Sequence, residues 1–274
     1  MSAVATNKKK GSRSAIVIPF ILASKNKKEK SMGKRAEVVA PAGKGTNRSL
    51  VRIDDLYTFE PLTNSQRNFF KLYKENTTAI MMHGVAGTGK TFIALYKALE
   101  EVLDPSKRVK KVIIVRSAVP SRDIGFLPGD EMEKVEIYKQ PYKDICGILF
   151  GRNKNAFERL EEQNHVEFMT TSFLRGLTLD NAVIIVDEAQ NLSWPEINTI
   201  MTRVGENSKI IFCGDWRQTD LIRKHDMSGL KKFIEITRHM PSFRNIEFSV
   251  EEIIRSDIVK EFILATLASE DCKR

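Results

Sequence analysis

Apolar residues fall in consecutive runs along this chain, and each run ends in a polar or glycine-rich cluster. Thr78-Ala79-Ile80-Met81-Met82 leads into His83-Gly84, Lys111-Val112-Ile113-Ile114-Val115-Arg116 into Ser117, Ala182-Val183-Ile184-Ile185-Val186 into Asp187-Glu188, and Lys209-Ile210-Ile211-Phe212-Cys213 into Gly214-Asp215. Unbroken apolar runs of this length, rich in β-branched residues, predict strands buried on both faces, the habit of a parallel sheet. Helical spacing separates them, at Phe92–Leu99, Glu131–Phe150, Ala156–Gln163 and Trp194–Met201, the last with Pro195 in its first turn. A short strand is predicted at Val166–Met169, an edge strand at Ile246–Val250, and a closing amphipathic helix at Ser256–Ala265. Alternating strands and helices predict an α/β fold, a parallel sheet sandwiched by helices.

The connection after the first run carries chemistry. Gly84-Val85-Ala86-Gly87-Thr88-Gly89-Lys90-Thr91 has the spacing Gly-x-x-x-x-Gly-Lys-Thr between a strand and a helix, the context in which it becomes a phosphate-binding loop. Its glycines accept backbone angles that turn successive N–H groups inward as an anion nest, and the helix start near Lys90 adds free donors and partial positive charge. Lys90 is then expected to reach the β- and γ-phosphates of ATP, and Thr91 to ligate Mg²⁺.

Later strand ends supply matching partners. Asp187 is expected to hold the Mg²⁺ shell, and Glu188 to orient or deprotonate the attacking water. Gln218, in Gly214-Asp215-Trp216-Arg217-Gln218, is placed to sense the γ-phosphate or simply follows a turn-forming Gly-Asp. Ahead of the loop, Thr63 and Gln66 have the spacing of a capping box. Gln66 either completes that cap or turns its carboxamide, both donor and acceptor, to the adenine edge. The stretch 117–130, punctuated by Pro and Gly, leaves a strand where ligands bind in open α/β sheets. Arg116, Ser117 and Arg122 there, with Arg175, are candidates for gripping a nucleic-acid backbone or are solvated loop residues.

Charge divides the chain. Residues 1–50 carry a net +10 while the remaining 224 residues carry −1. The expectation is a basic, mostly disordered arm over 1–50 ahead of a single domain over 51–274. Such an arm contacts a polyanion or serves as a solubilising leader. The three cysteines, Cys146, Cys213 and Cys272, lack Cys-x-x-Cys spacing, so neither a disulfide framework nor a zinc site is expected and a reducing cytoplasm fits. No apolar run approaches the ~20 residues that span a bilayer. The run Ala15–Ala23 looks like a secretory leader but lacks a small-x-small cleavage site, and export is not expected.

Taken together, Gly84–Thr91, Gly125-Phe126-Leu127-Pro128-Gly129-Asp130, Arg175-Gly176 with Thr178, Asp187-Glu188-Ala189-Gln190-Asn191, and Gly214-Asp215 with Gln218 and Asp220-Leu221 resemble the PhoH-like (phosphate-starvation-inducible) ATPases, in the short form seen in phages. The resemblance implies a RecA-like P-loop NTPase domain related to superfamily 1 helicase motors. It implies ATP hydrolysis with Mg²⁺, a link to single-stranded RNA or DNA, and, for a phage protein, the host cytoplasm. It also places an inter-subunit arginine finger at Arg255, and hence a homo-oligomer, a ring such as a hexamer. Departures from the family pattern are Ser256 where His is common and Leu177 where Arg is. Two rival readings stay open: a nucleotide-gated switch for nucleic acid or protein in which turnover is incidental, and a P-loop small-molecule kinase.

Overall fold

The computed structural model describes residues 15–17, 37–39, 50–117, 131–215 and 229–271. The expected Gly125–Asp130 motif, Arg122 and Gln218 lie outside them. The elements in chain order are β1 (Ala15–Val17), β2 (Glu37–Val39), β3 (Thr58–Phe59), α1 (Asn64–Lys74), β4 (Ala79–Gly84), α2 (Lys90–Val102), β5 (Lys111–Arg116), α3 (Glu131–Leu149), α4 (Ala156–Glu162), β6 (Val166–Thr170), β7 (Ala182–Val186), α5 (Trp194–Met201), β8 (Lys209–Gly214), α6 (Gly229–Thr237), β9 (Phe243–Phe248) and α7 (Asp257–Asp271).

Six strands form one sheet in the order β6-β5-β7-β8-β4-β9. All its pairings are parallel, so every strand exits on the same edge. The unbroken apolar runs have the reason expected: alternate residues serve opposite layers. Ile80, Met82, Val112, Ile114, Val183 and Ile185 pack under α1 to α4, while Met81, Ile113, Val115, Ile184 and Phe212 face α5 and α6. The strand anticipated at 246–250 starts earlier, at Phe243, and is an edge strand beside β4.

Within the basic segment 1–50, two three-residue strands are described, and they join β3 in a separate antiparallel sheet. The apolar run 15–23 thereby contributes β1. At the other end of the chain, α7 forms where a closing helix is expected, but its apolar residues do not close onto the core. Ile258 and Phe262 are 70% and 71% exposed.

One polar cluster lies inside the first layer. Glu101 of α2 receives the Tyr73 hydroxyl at 2.6 Å and the Lys209 ammonium at 2.9 Å, with that ammonium 4.6 Å from the Tyr73 ring centroid. It ties α1, α2 and the start of β8 together. Burial, then Glu101, push the Tyr73 hydroxyl well above its ordinary range, so it remains a donor. Glu101→Ala leaves the buried Lys209 charge without its partner and is expected to cost about 3–5 kcal/mol. A lowered urea midpoint with an unchanged slope is the measurement that checks it.

Candidate nucleotide site

The loop between β4 and α2 is shaped by what surrounds it. Gly84 has φ +122°, and a Cβ there would stand 2.1 Å from the Phe248 carbonyl oxygen, so only glycine lets the loop leave β4 this close to the end of β9. The Val85 N–H donates to that same carbonyl at 3.1 Å. The helix α2 begins at Lys90, as the motif requires. The Lys90 ammonium is turned into the loop, donating to the Gly84 and Val85 carbonyls at 2.8 Å and to Thr88 Oγ1 at 3.3 Å. Burial pulls its pKa down, and the nearby Asp215 opposes that.

The acidic strand end meets this loop. Thr91 Oγ1 donates to Asp187 Oδ1 at 2.7 Å, bringing together two residues 96 positions apart in sequence. On its other oxygen, Asp187 receives the Tyr142 hydroxyl at 2.9 Å. Burial and then Glu188 raise the Asp187 carboxyl, against the hydrogen bonds from Thr91 and Tyr142. The site thus holds a buried cation and a buried carboxylate, each short of compensation. A phosphate and a divalent cation are the groups that would relieve both.

Glu188 sits in the left-handed region at φ +50°, a conformation that costs a non-glycine residue about 1–3 kcal/mol and that recurs at functional sites. Its carboxylate accepts from Gln190 Nε2. Gln190 Oε1 in turn accepts from the Asp215 N–H at 3.1 Å, and Asp215 Oδ2 accepts from the Ala86 N–H at 3.1 Å. A polar chain therefore runs from the catalytic candidate Glu188, through the ends of β7 and β8, back to the phosphate loop.

Gln66 belongs to the cap through its backbone. Thr63 Oγ1 accepts from the Gln66 N–H at 3.3 Å, which is the cap. The carboxamide does not return to Thr63; it accepts from the Leu62 N–H at 2.8 Å and donates to the Thr88 carbonyl at 2.9 Å. There it lines a small apolar recess beside Gly89 together with Phe59, Leu62, Phe92 and Ile254. Arg255 lies beside Gly87 of its own chain: a Cβ on Gly87 would be 2.9 Å from Arg255 Cγ.

Further along the same sheet edge, Glu196 Oε1 accepts from Ser117 Oγ at 3.0 Å and Thr171 Oγ1 at 2.7 Å, joining the exits of β5 and β6. Burial alone would raise this carboxyl, but the hydrogen bonds from Thr171, Ser193 and Ser117 outweigh it and hold it below its usual range. Arg116 lies over the Tyr138 ring at 5.3 Å, and Arg175 is exposed. Sequence reasoning assigned no role to Tyr142, Gln190 or Glu196. Gln190 sits inside a recognised motif, so its signal was present; Tyr142 lies in a helix with no motif, and nothing in its neighbours points to Asp187.

The PhoH-like protein family model matches residues 58–266. A PhoH-like protein of Bacillus subtilis is 36% identical over 204 residues, covering 74% of this chain and 62% of the relative. Protein PhoH of Escherichia coli K12 is 34% identical over 192 residues, covering 70% and 53%. The chain thus spans less than two thirds of the length of these curated relatives. Among solved structures, the Hef helicase domain of Pyrococcus furiosus aligns with TM-score 0.36 and 14% identity over 67% of this chain and 39% of that one. The Pif1 helicase of Candida albicans aligns with TM-score 0.30 and 17% identity over 69% and 40%. With its phosphate loop, acidic strand end and six-stranded parallel sheet in place, the chain belongs to the PhoH-like family of P-loop proteins.

Proposed function

We propose that this protein is a Mg²⁺-dependent ATPase that couples hydrolysis to binding, movement on or remodelling of single-stranded nucleic acid. The observation that carries the nucleotide part is the convergence of Lys90, Thr91 and Asp187, with the Thr91 hydroxyl directly on the Asp187 carboxylate. No cluster of three metal-ligating His, Cys, Asp or Glu side chains occurs among the described residues. That suits Mg²⁺, which keeps most of its waters and takes only one or two protein groups beside substrate phosphates. Thr91 and Asp187 would hold the ion, whose charge, when bound, would offset that of the phosphates.

The chain's own residues do the rest. Lys90 leaves the loop carbonyls for the β- and γ-phosphates, and backbone N–H groups of the loop donate to the same anion. The Glu188 carboxylate, held by Gln190, orients the attacking water and takes its proton. The recess under Gln66 receives the base. For the polymer, support comes from Arg116, Ser117, Thr171 and Arg175 at the strand exits next to the site, and from the basic segment 1–50.

ATP turnover measured with and without single-stranded RNA and DNA, across a salt series, tests the whole reading. Stimulation by a polymer that fades as salt rises is expected; no stimulation by either polymer removes the nucleic-acid half. Lys90→Ala should abolish nucleotide retention. Glu188→Gln should keep ATP bound while turnover falls by about 10²–10⁴-fold, and equal turnover would remove Glu188 from the mechanism. For Tyr142→Phe, Asp187 loses a donor that orients it, and the Mg²⁺ concentration needed for half-maximal nucleotide binding should rise about 10–100-fold. Titration of a fluorescent ATP analogue at graded Mg²⁺ reads that shift, and an unchanged midpoint would make Tyr142 a packing residue only.

A further inference from the structure

Where β6 leaves the sheet, the chain makes a tight 3-10 turn, Thr171–Leu174, that is pinned at both ends. The Thr171 hydroxyl donates to Glu196 Oε1 at 2.7 Å, and the Ser117 hydroxyl donates to the same oxygen at 3.0 Å. Both residues are buried and their hydroxyl protons are committed to that carboxylate, so their work here is to brace the turn. Leu174 is fully buried in the layer that faces α5 and α6, and its carbonyl accepts from the Leu177 N–H at 3.2 Å. With Thr171 and Leu174 fixed inward, the three-residue repeat of the turn leaves Phe173 outside, 56% exposed.

A single exposed apolar residue is ordinary on a protein surface. Phe173 is set apart by its surroundings. Ser172, Arg175 and Gly176 are exposed around it, and the only charge in residues 171–178 is that of Arg175. Among the described residues no ring packs on Phe173, and no hydrogen bond or ion pair holds the Arg175 side chain. Arg203 donates to the Leu177 carbonyl at 3.5 Å, and Arg116, level with Thr170 on the adjoining strand, adds a third positive charge. The next acid along the chain, Asp180, accepts from the Glu206 N–H at 2.7 Å. Gly176 has φ +83°, and a Cβ there would meet nothing within 4 Å, so the backbone stands clear for a close approach. The exits of β6 and β7 are two strand spacings apart, about 10 Å, which puts this turn close to Asp187 and Glu188.

We propose that Phe173 is a base-stacking platform for single-stranded nucleic acid, with Arg175 taking a phosphate of the same strand. An aromatic face held out on a braced turn and flanked by positive charge suits an unpaired strand, because every base has a π-face and stacking tolerates any sequence. A duplex keeps its base faces against each other, so this platform selects the single strand where charge alone would take both. The inference rests on the nucleic-acid reading above and adds how the bases are held.

The test measures binding of fluorescent oligo(dT), oligo(U) and an abasic deoxyribose-phosphate strand of equal length across a salt series. The full chain is used as wild type, Phe173→Leu, Phe173→Trp and Arg175→Ala. Phe173 is exposed and Leu keeps its apolar bulk, so matching thermal melts are expected. Phe173→Leu should bind base-bearing strands about 5–150-fold more weakly, yet bind the abasic strand as wild type does and keep the wild-type salt slope. Phe173→Trp should retain wild-type affinity. Arg175→Ala should weaken binding of both kinds of strand and reduce the salt slope by about 0.7, the share of one phosphate on a single strand; an unchanged slope overturns the Arg175 half. A loss in Phe173→Leu of equal size on abasic and base-bearing strands overturns the stacking role, since the ring is then not acting on a base. Wild-type affinity in Phe173→Leu also overturns it and leaves the nucleic-acid reading standing. Failure of the wild type to bind any of the strands would sink the nucleic-acid reading and this inference together.

Discussion

The hydrogen bond from Thr91 to Asp187 joins the two halves of the site and depends on everything beneath it. It forms because α2 starts one residue before Thr91, just after the exit of β4, and because β7 ends at Val186, level with Met81 near the end of β4. One strand, β8, stands between them, and the parallel register through β8 sets their heights. A slip of one residue in either pairing would turn Asp187 to the opposite face of the sheet. The two packed layers, each filled by alternate residues of the same strands, are what make such a slip expensive.

The electrostatics follow from that placement. Lys90 and Asp187 are both buried, and neither forms a salt bridge among the described residues. Lys90 settles on loop carbonyls, and Asp187 on the hydroxyls of Thr91 and Tyr142. Those are weaker partners than a phosphate and a divalent ion. The fold therefore holds the site in a state that ligand binding relieves, which is what preorganisation means in free-energy terms. The left-handed backbone at Glu188 belongs to the same pattern, strain kept where chemistry is needed.

A polar chain runs from Glu188 through Gln190 and Asp215 to the Ala86 N–H. On the proposed reading, a phosphate entering the loop would compete for that N–H, at the far end of this chain from Glu188. On the other side of Asp187, Tyr142 belongs to α3, and one turn earlier on that helix Tyr138 lies under Arg116. A contact at the β5 exit and the hydroxyl on Asp187 thus share one helix. Both are contiguous networks of packed and hydrogen-bonded side chains.

Much of this was legible along the chain. Four strands, their parallel pairing and the loop-to-helix transition follow from local rules: unbroken apolar runs, glycine spacing, and a lysine at a helix start. Asp187 and Glu188 were legible because they terminate a strand in the same chain as a phosphate loop. Gln66 was half legible, since a cap is a local device while its bond to the Thr88 carbonyl spans 22 residues. Three things were decided only by the tertiary structure. Tyr142 reaches Asp187 because α3 packs across the sheet, α7 leaves Ile258 and Phe262 in solvent although its spacing resembles a packed helix, and Arg255 comes to rest on its own phosphate loop. The physical reason is the same in each case. Periodicity and motif spacing encode which face of an element is apolar and which backbone angles a turn allows, whereas the identity of a partner across the fold depends on sheet register and on helix packing, which no short stretch of sequence contains.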